Sequence, residues 1–121
     1  MKDRNKILVI EDDQDILFAL MAVLDMYGYE SAGVPFIQDV RATIAFHQPD
    51  LVLTDYVLPG INGGLICKAI KGNPITAHIP VILMTAYHKQ AIAVGNFGYD
   101  AYLPKPFDNN ALIRILNGFF S

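Results

Sequence analysis

Short unbroken apolar runs stand at Ile7–Ile10, Leu51–Leu53 and Val81–Met84, and stretches with apolar residues at three- and four-residue steps lie between them. Runs without polar alternation predict strands buried on both faces, and the longer spacing predicts amphipathic helices. A first strand is expected over Lys6–Ile10. The first helix follows over Gln14–Tyr27, with Ile16, Leu20, Val23, Leu24 and Tyr27 recurring and Gly28 closing it. Tyr29–Val34 predicts a weaker strand, and Ile37–His47 a helix with Val40, Ile44 and Ala45 facing inward. Gln48-Pro49-Asp50 breaks that helix and launches a strand over Leu51–Thr54. Pro59-Gly60 turns the chain, and Gly63-Gly64 reads as a loosening before a helix over Leu65–Lys71. A strand over Pro80–Met84, a helix over Lys89–Asn96, a strand over Ala101–Leu103 and a helix over Asn109–Phe119, capped by Asp108, complete the pattern.

Five strands alternating with five helices through short connections predict an α/β fold, a doubly wound parallel sheet covered on both faces. Ligands of such sheets sit at the carboxyl ends of the strands. Those ends carry Glu11, Asp12, Asp55, Thr85 and Lys105. The chain of 121 residues is 53% hydrophobic and 17% charged, which suits one domain over residues 1–121 with a sizeable core. Cys67 is the only cysteine, so no intrachain disulfide forms, and a half-buried structural thiol in a reducing compartment is expected. A net charge of -3 without a basic cluster argues against nucleic acid or an anionic membrane as direct partner. The polar start and the short Ile7–Ile10 run fit neither a signal peptide nor a span, so a cytoplasmic protein is expected.

The acidic turn Glu11-Asp12-Asp13 decides the chemistry. It lacks the glycines and bare N–H groups that cradle phosphate and would repel an anion, which argues against nucleotide binding. With Asp55, at least three carboxylates converge, and their mutual repulsion calls for a hard divalent cation. Mg²⁺ suits an open site of this kind, because it takes one or two carboxylates and keeps several waters. Asp55 can then attack a phosphoryl group whose oxygens meet the cation, the Lys105 ammonium and the Thr85 hydroxyl. Ala86 leaves room beside them. Each residue also has a plainer reading: Thr85 as a turn residue, Lys105 as a solvated side chain, the acidic turn as a helix start. Their joint placement on one sheet edge favours the site.

Four motifs in order carry a family resemblance over the whole chain: Ile7-Leu8-Val9-Ile10-Glu11-Asp12-Asp13, then Asp50–Asp55 with Leu58-Pro59-Gly60, then Val81–Ala86, then Asp100–Phe107. The chain resembles a receiver domain of two-component response regulators. The resemblance implies a flavodoxin-like strand order 2-1-3-4-5, with Asp55 as phosphoacceptor, Glu11 and Asp12 as metal residues, and the Val57 backbone carbonyl as a further Mg²⁺ ligand. Thr85 and Lys105 would contact the phosphoryl group, and Asp13 would only be a neighbour. Tyr102 would be the switch that follows Thr85 and reshapes the face of the fourth helix, fifth strand and fifth helix. A histidine kinase or histidine phosphotransfer protein is the implied donor.

Some positions depart from the family pattern. Asn62-Gly63-Gly64 stands where Asp-Gly is usual, which is expected to leave the site untouched, and Gly95-Asn96-Phe97-Gly98-Tyr99 replaces a run of small residues. Val57 and Tyr87, two positions beyond Asp55 and Thr85, would hinder water and slow dephosphorylation. The last helix offers Leu112, Ile115, Leu116 and Phe119 on one side, with Ile113 and Phe120 elsewhere. That second side reads either as a frayed end covered by loops or as a patch for a homodimer. Two other functions compete: an interaction module that never accepts phosphate, and an aspartyl-phosphate phosphohydrolase. The intact acceptor set argues against the first. Val57, where an acid/base Asp would be needed, argues against the second, so no turnover enzyme is expected. His47, His78 and His88 lie apart, without metal spacing.

Overall fold

The computed structural model describes residues 4–86 and 97–120. Its elements are β1 (Lys6–Ile10), α1 (Gln14–Met26), β2 (Glu30–Val34), α2 (Val40–His47), β3 (Leu51–Asp55), α3 (Gly63–Lys71), β4 (Val81–Thr85), β5 (Ala101–Pro104) and α4 (Asn109–Phe120). The strands form one parallel sheet in the order β2-β1-β3-β4-β5. This is the expected flavodoxin-like order, with four helices among the described residues. The helix expected over Lys89–Asn96, together with Tyr87 and His88, lies outside them.

Because successive side chains of a strand point to opposite faces, the apolar runs feed two cores. Ile7, Val9, Leu51, Leu53, Ile82 and Met84 pack with α1 and α4. On the other face, Leu8, Ile10, Val52 and Val81 pack with Ile44 of α2 and Ile66, Cys67 and Ile70 of α3. Cover on both faces explains why β3 and β4 show no polar alternation and are buried throughout.

Two aspartates set the strand ends. Each stands immediately before its own strand and binds the first residue of the neighbouring one. The Lys6 N–H donates to Asp50 Oδ2 at 2.8 Å, and the Val81 N–H donates to Asp100 Oδ2 at 2.8 Å. Asp100 also pairs with Lys71 Nζ at 2.6 Å, and that ammonium donates to the Ile79 carbonyl at 2.8 Å. The strands that deliver Asp55 and Lys105 are therefore held in register from their opposite ends.

Several expected inner faces shift. α1 buries Leu17, Leu20 and Leu24, while Ile16 and Tyr27 are exposed. All nine residues from Ile16 to Leu24 are apolar, so spacing alone selects no stripe there. α2 starts at Val40, capped by the Asp39 carboxylate, and Ala45 faces outward. Cys67 is fully buried rather than half-buried, and burial pushes its thiol up to about 12, so it is an inert core residue. In α4 the second side is neither frayed nor a free patch: Ile113 is buried and the Phe120 ring packs 5.7 Å from that of Tyr29. The Tyr29 hydroxyl adds a 2.6 Å hydrogen bond to Asn117 Oδ1. Ile113→Ala should therefore cost about 2–5 kcal/mol in urea unfolding. A surface contact would move stability by less than about 0.5 kcal/mol, and such a result would return Ile113 to the surface.

Candidate functional site

Glu11 extends the β1 ladder by one residue, its N–H donating to the Val34 carbonyl at 3.1 Å, and its side chain is only 1% exposed. Asp12 is exposed beside it. Asp13 turns away to cap α1, its Oδ1 accepting the Asp15 and Ile16 N–H groups at 2.9 and 3.2 Å. Asp55 ends β3 and is 8% exposed, and its Oδ1 accepts the Tyr56 N–H at 3.0 Å. That N–H also reaches the Met84 carbonyl at 2.9 Å, which ties the end of β3 to β4. One carboxylate oxygen from each of Glu11, Asp12 and Asp55 lies within 4.8 Å of the others.

Lys105 follows β5, and its N–H donates to the Thr85 carbonyl at 2.9 Å, which aims its side chain back over the sheet edge. Nζ donates to Glu11 Oε1 at 2.8 Å and stands 3.4 Å from Asp55 Oδ1. Thr85 ends β4, buried, and pairs in register with Pro104. The sheet thus gathers Glu11, Asp12, Asp55, Thr85 and Lys105 at one edge. Val57 lies two residues past Asp55 with its side chain exposed. Tyr102 sits on β5 opposite Leu83, half-buried, its ring 6.3 Å from that of Tyr99. Neither His47 nor His78 joins the acidic cluster.

The charges are poorly solvated. Burial pushes the Glu11 carboxyl up to about 7, and the Asp55 charge adds to this, while the Lys105 hydrogen bond and charge pull the other way. Burial pulls the Lys105 ammonium down, but the hydrogen bond it donates to Glu11 and the charges of Asp55 and Glu11 outweigh this and raise its pKa. Glu11 spends only one oxygen on Lys105. Among the described residues its Oε2 is buried without a hydrogen-bond partner, a costly state for an ionised carboxylate. A hard cation held by that oxygen, Asp12 and Asp55 would satisfy it, so this donor set fits Mg²⁺.

One position beside Asp55 differs from its sequence reading. Gly63 does not loosen the chain. A Cβ there would stand 2.1 Å from the Asp55 carbonyl oxygen and 2.9 Å from the Tyr56 Cα. The Gly63 N–H donates to the Tyr56 carbonyl at 2.8 Å, and the buried Thr54 hydroxyl donates to the Asp55 carbonyl at 2.9 Å. Asn62 caps α3 through the Leu65 N–H at 2.9 Å. The start of α3 is therefore packed against the main chain of Asp55 and Tyr56. The signal available was Asn62 itself, a good N-cap residue that begins the helix two positions earlier than the apolar spacing does.

A family model described as the response regulator receiver domain matches residues 7–117. The phosphate regulon regulatory protein PhoB of Pseudomonas aeruginosa is 32% identical over 112 residues, 91% of this chain and 49% of PhoB. Protein PilH of the same organism is 30% identical over 114 residues, 93% of this chain and 94% of PilH. The chain thus spans about half the length of one such relative and nearly all of the other. Among solved structures, the receiver domain of sensor histidine kinase PA1611 from P. aeruginosa superposes with a TM-score of 0.86 at 30% identity, covering 98% of this chain and 99% of that one. That domain carries a magnesium ion coordinated in its active-site cleft.

Proposed function

Because the chain belongs to the response regulator receiver domain family, whose members are signalling domains rather than turnover enzymes, we propose that residues 1–121 take a phosphoryl group onto Asp55 and hold it as a signal. The observation that carries this reading is the convergence of Glu11, Asp12 and Asp55 within 4.8 Å beneath a lysine that touches two of them. An Asp55 carboxylate oxygen forms the new bond to phosphorus as the donor's bond to phosphorus breaks. Mg²⁺ bound by Glu11, Asp12, Asp55 and the Val57 carbonyl would supply positive charge for the transferring group.

Lys105 has a second task. Before transfer its ammonium is shared between Glu11 and Asp55, and a phosphoryl group on Asp55 offers it a stronger partner. The Thr85 hydroxyl donates to a further phosphoryl oxygen, and Tyr102 responds on β5. The donor is a histidine kinase or a histidine phosphotransfer protein. An apolar cleft of about 490 Å³, lined by Ile16, Ala19, Val23, Pro106 and Phe107, opens beside Lys105 and Ala86 and suits the apolar side of such a partner. Val57 supplies no acid or base, so hydrolysis is slow. Among the described residues no helix is long and apolar enough to cross a membrane.

Incubation with acetyl phosphate and Mg²⁺, read by intact mass, tests the reading. The chain is expected to gain one phosphoryl group and to keep it for longer than seconds once the donor is removed. Asp55→Asn should gain none, and chelation of Mg²⁺ should abolish the gain. Equal uptake by Asp55→Asn would overturn the assignment.

A further inference from the structure

The aromatic run that replaces small residues before β5 has a place in the site. Phe97 lies on the first turn of α3, where a Cβ on Gly64 would stand 2.6 Å from its Cε2. Its ring therefore rests on bare helix backbone. The same ring stands 5.9 Å from that of Tyr56, tilted by 47°. Tyr56 holds Asp55 Oδ1 through its N–H and holds Gly63 through its carbonyl. Phe97 thus touches both ends of the loop that runs from the acceptor to α3. Gly98 follows with φ +81, and Tyr99 then meets the ring of Tyr102.

We infer that Phe97 is a positioning residue for phosphoryl uptake: wedged between Gly64 and Tyr56, it holds the turn that carries Asp55. The inference rests on Asp55 being the phosphoacceptor. A small residue at this position would leave the groove over Gly64 empty and remove the ring that packs against Tyr56, and so loosen the loop between Asp55 and the start of α3. Transfer by positioning is sensitive to displacements of an ångström or less.

The test compares maximal rates of phosphoryl uptake from acetyl phosphate at saturating Mg²⁺, using the full chain. Phe97→Ala should lower the maximal rate by roughly tenfold while leaving the half-saturating acetyl phosphate concentration unchanged, and Phe97→Leu should fall between. Gly64→Ala should also slow uptake by pushing the ring toward Tyr56, although alanine is the better helix former. Ile44→Ala, in the same core but on α2, serves as a control: it should lower the urea midpoint as Phe97→Ala does and keep the wild-type rate. Wild-type rates in Phe97→Leu and Gly64→Ala, or equal slowing by Ile44→Ala, would overturn the inference. If Phe97→Ala does not fold, Phe97→Leu and Gly64→Ala decide it. Equal uptake by Asp55→Asn would instead overturn the reading of Asp55, and the inference with it.

Discussion

Gly63→Ala is expected to impair both folding and phosphoryl uptake, although it places a better helix former in the first turn of α3. The gain from helix propensity is about 1 kcal/mol. Against it stands a methyl group 2.1 Å from the Asp55 carbonyl oxygen and 2.9 Å from the Asp55 carbonyl carbon. These are backbone atoms of a buried strand end, held by the Thr54 hydroxyl and the β4 ladder, so they cannot swing aside as a flexible side chain would. Overpacking of this kind costs about 1–3 kcal/mol. The remaining way to relieve it is to displace the acceptor turn itself. A shift near 1 Å at Asp55 lowers a positioning-dependent rate by about a hundredfold. Urea unfolding should show a lowered midpoint, and intact-mass kinetics a loss of uptake larger than that of Phe97→Ala. A raised midpoint with wild-type uptake would mean that the close approach carries no cost.

Mg²⁺ affinity should rise by on the order of a hundredfold between pH 5 and pH 8. The cause is Glu11, whose carboxyl is pushed up to about 7 by burial, with the Asp55 charge adding to it against the pull of Lys105. At pH 5 its oxygen is protonated and cannot serve a cation; at pH 8 it is free to do so. The same shift fixes the sign of a stability effect. Since the folded pKa lies above the ordinary carboxylate value, the folded state binds the proton more tightly than the unfolded state. Without Mg²⁺, stability should fall as pH rises from about 4.5 to about 7, and then level off as far as this group is concerned. Mg²⁺ should offset that loss, so its stabilising effect should be larger at pH 8 than at pH 5. Glu11→Gln should flatten both dependences. Calorimetric titration with Mg²⁺ at several pH values measures the first, and urea unfolding with and without the ion measures the second. A pH-independent affinity would rule out Glu11 as the titrating ligand.

Much of this site is legible in the chain because its residues follow strands that are easy to recognise. Val81–Met84 announces a buried strand by composition alone, and Thr85 then falls at its end. The same holds for Ile7–Ile10 before Glu11, and for Leu51–Thr54 before Asp55. A helix between two strands carries the chain back to the end of the sheet where it began, so the strands run parallel, their ends share an edge, and the acidic turn, the threonine and the lysine come together. Helix faces are less legible. Ile16 and Leu17 are equally apolar, and only the packing of α1 on the sheet buries Leu17 and leaves Ile16 at the cleft beside Lys105. Ile113 likewise looks surplus to one helical stripe, yet α4 is covered on two sides.

The roles of the glycines are the least legible in the chain. Gly63 and Gly64 look like flexibility in one dimension. In three, the first makes room for the Asp55 carbonyl and the second for the Phe97 ring. A missing side chain has no signature of its own, because its role is defined by an atom brought up from elsewhere in the chain.

By itself the sequence determined the alternation of strands and helices, the two-sided burial of the sheet and the line of polar residues at its carboxyl edge, because these follow from local pattern and chain connection. Only the tertiary structure decided that Lys105 pairs with Glu11 as well as Asp55, that Glu11 keeps one buried oxygen without a hydrogen-bond partner among the described residues, and that Gly63 and Phe97 pack against the turn after Asp55 from two directions. Distances and desolvation between residues far apart in the chain are properties of packing, and packing is absent from the order of the letters.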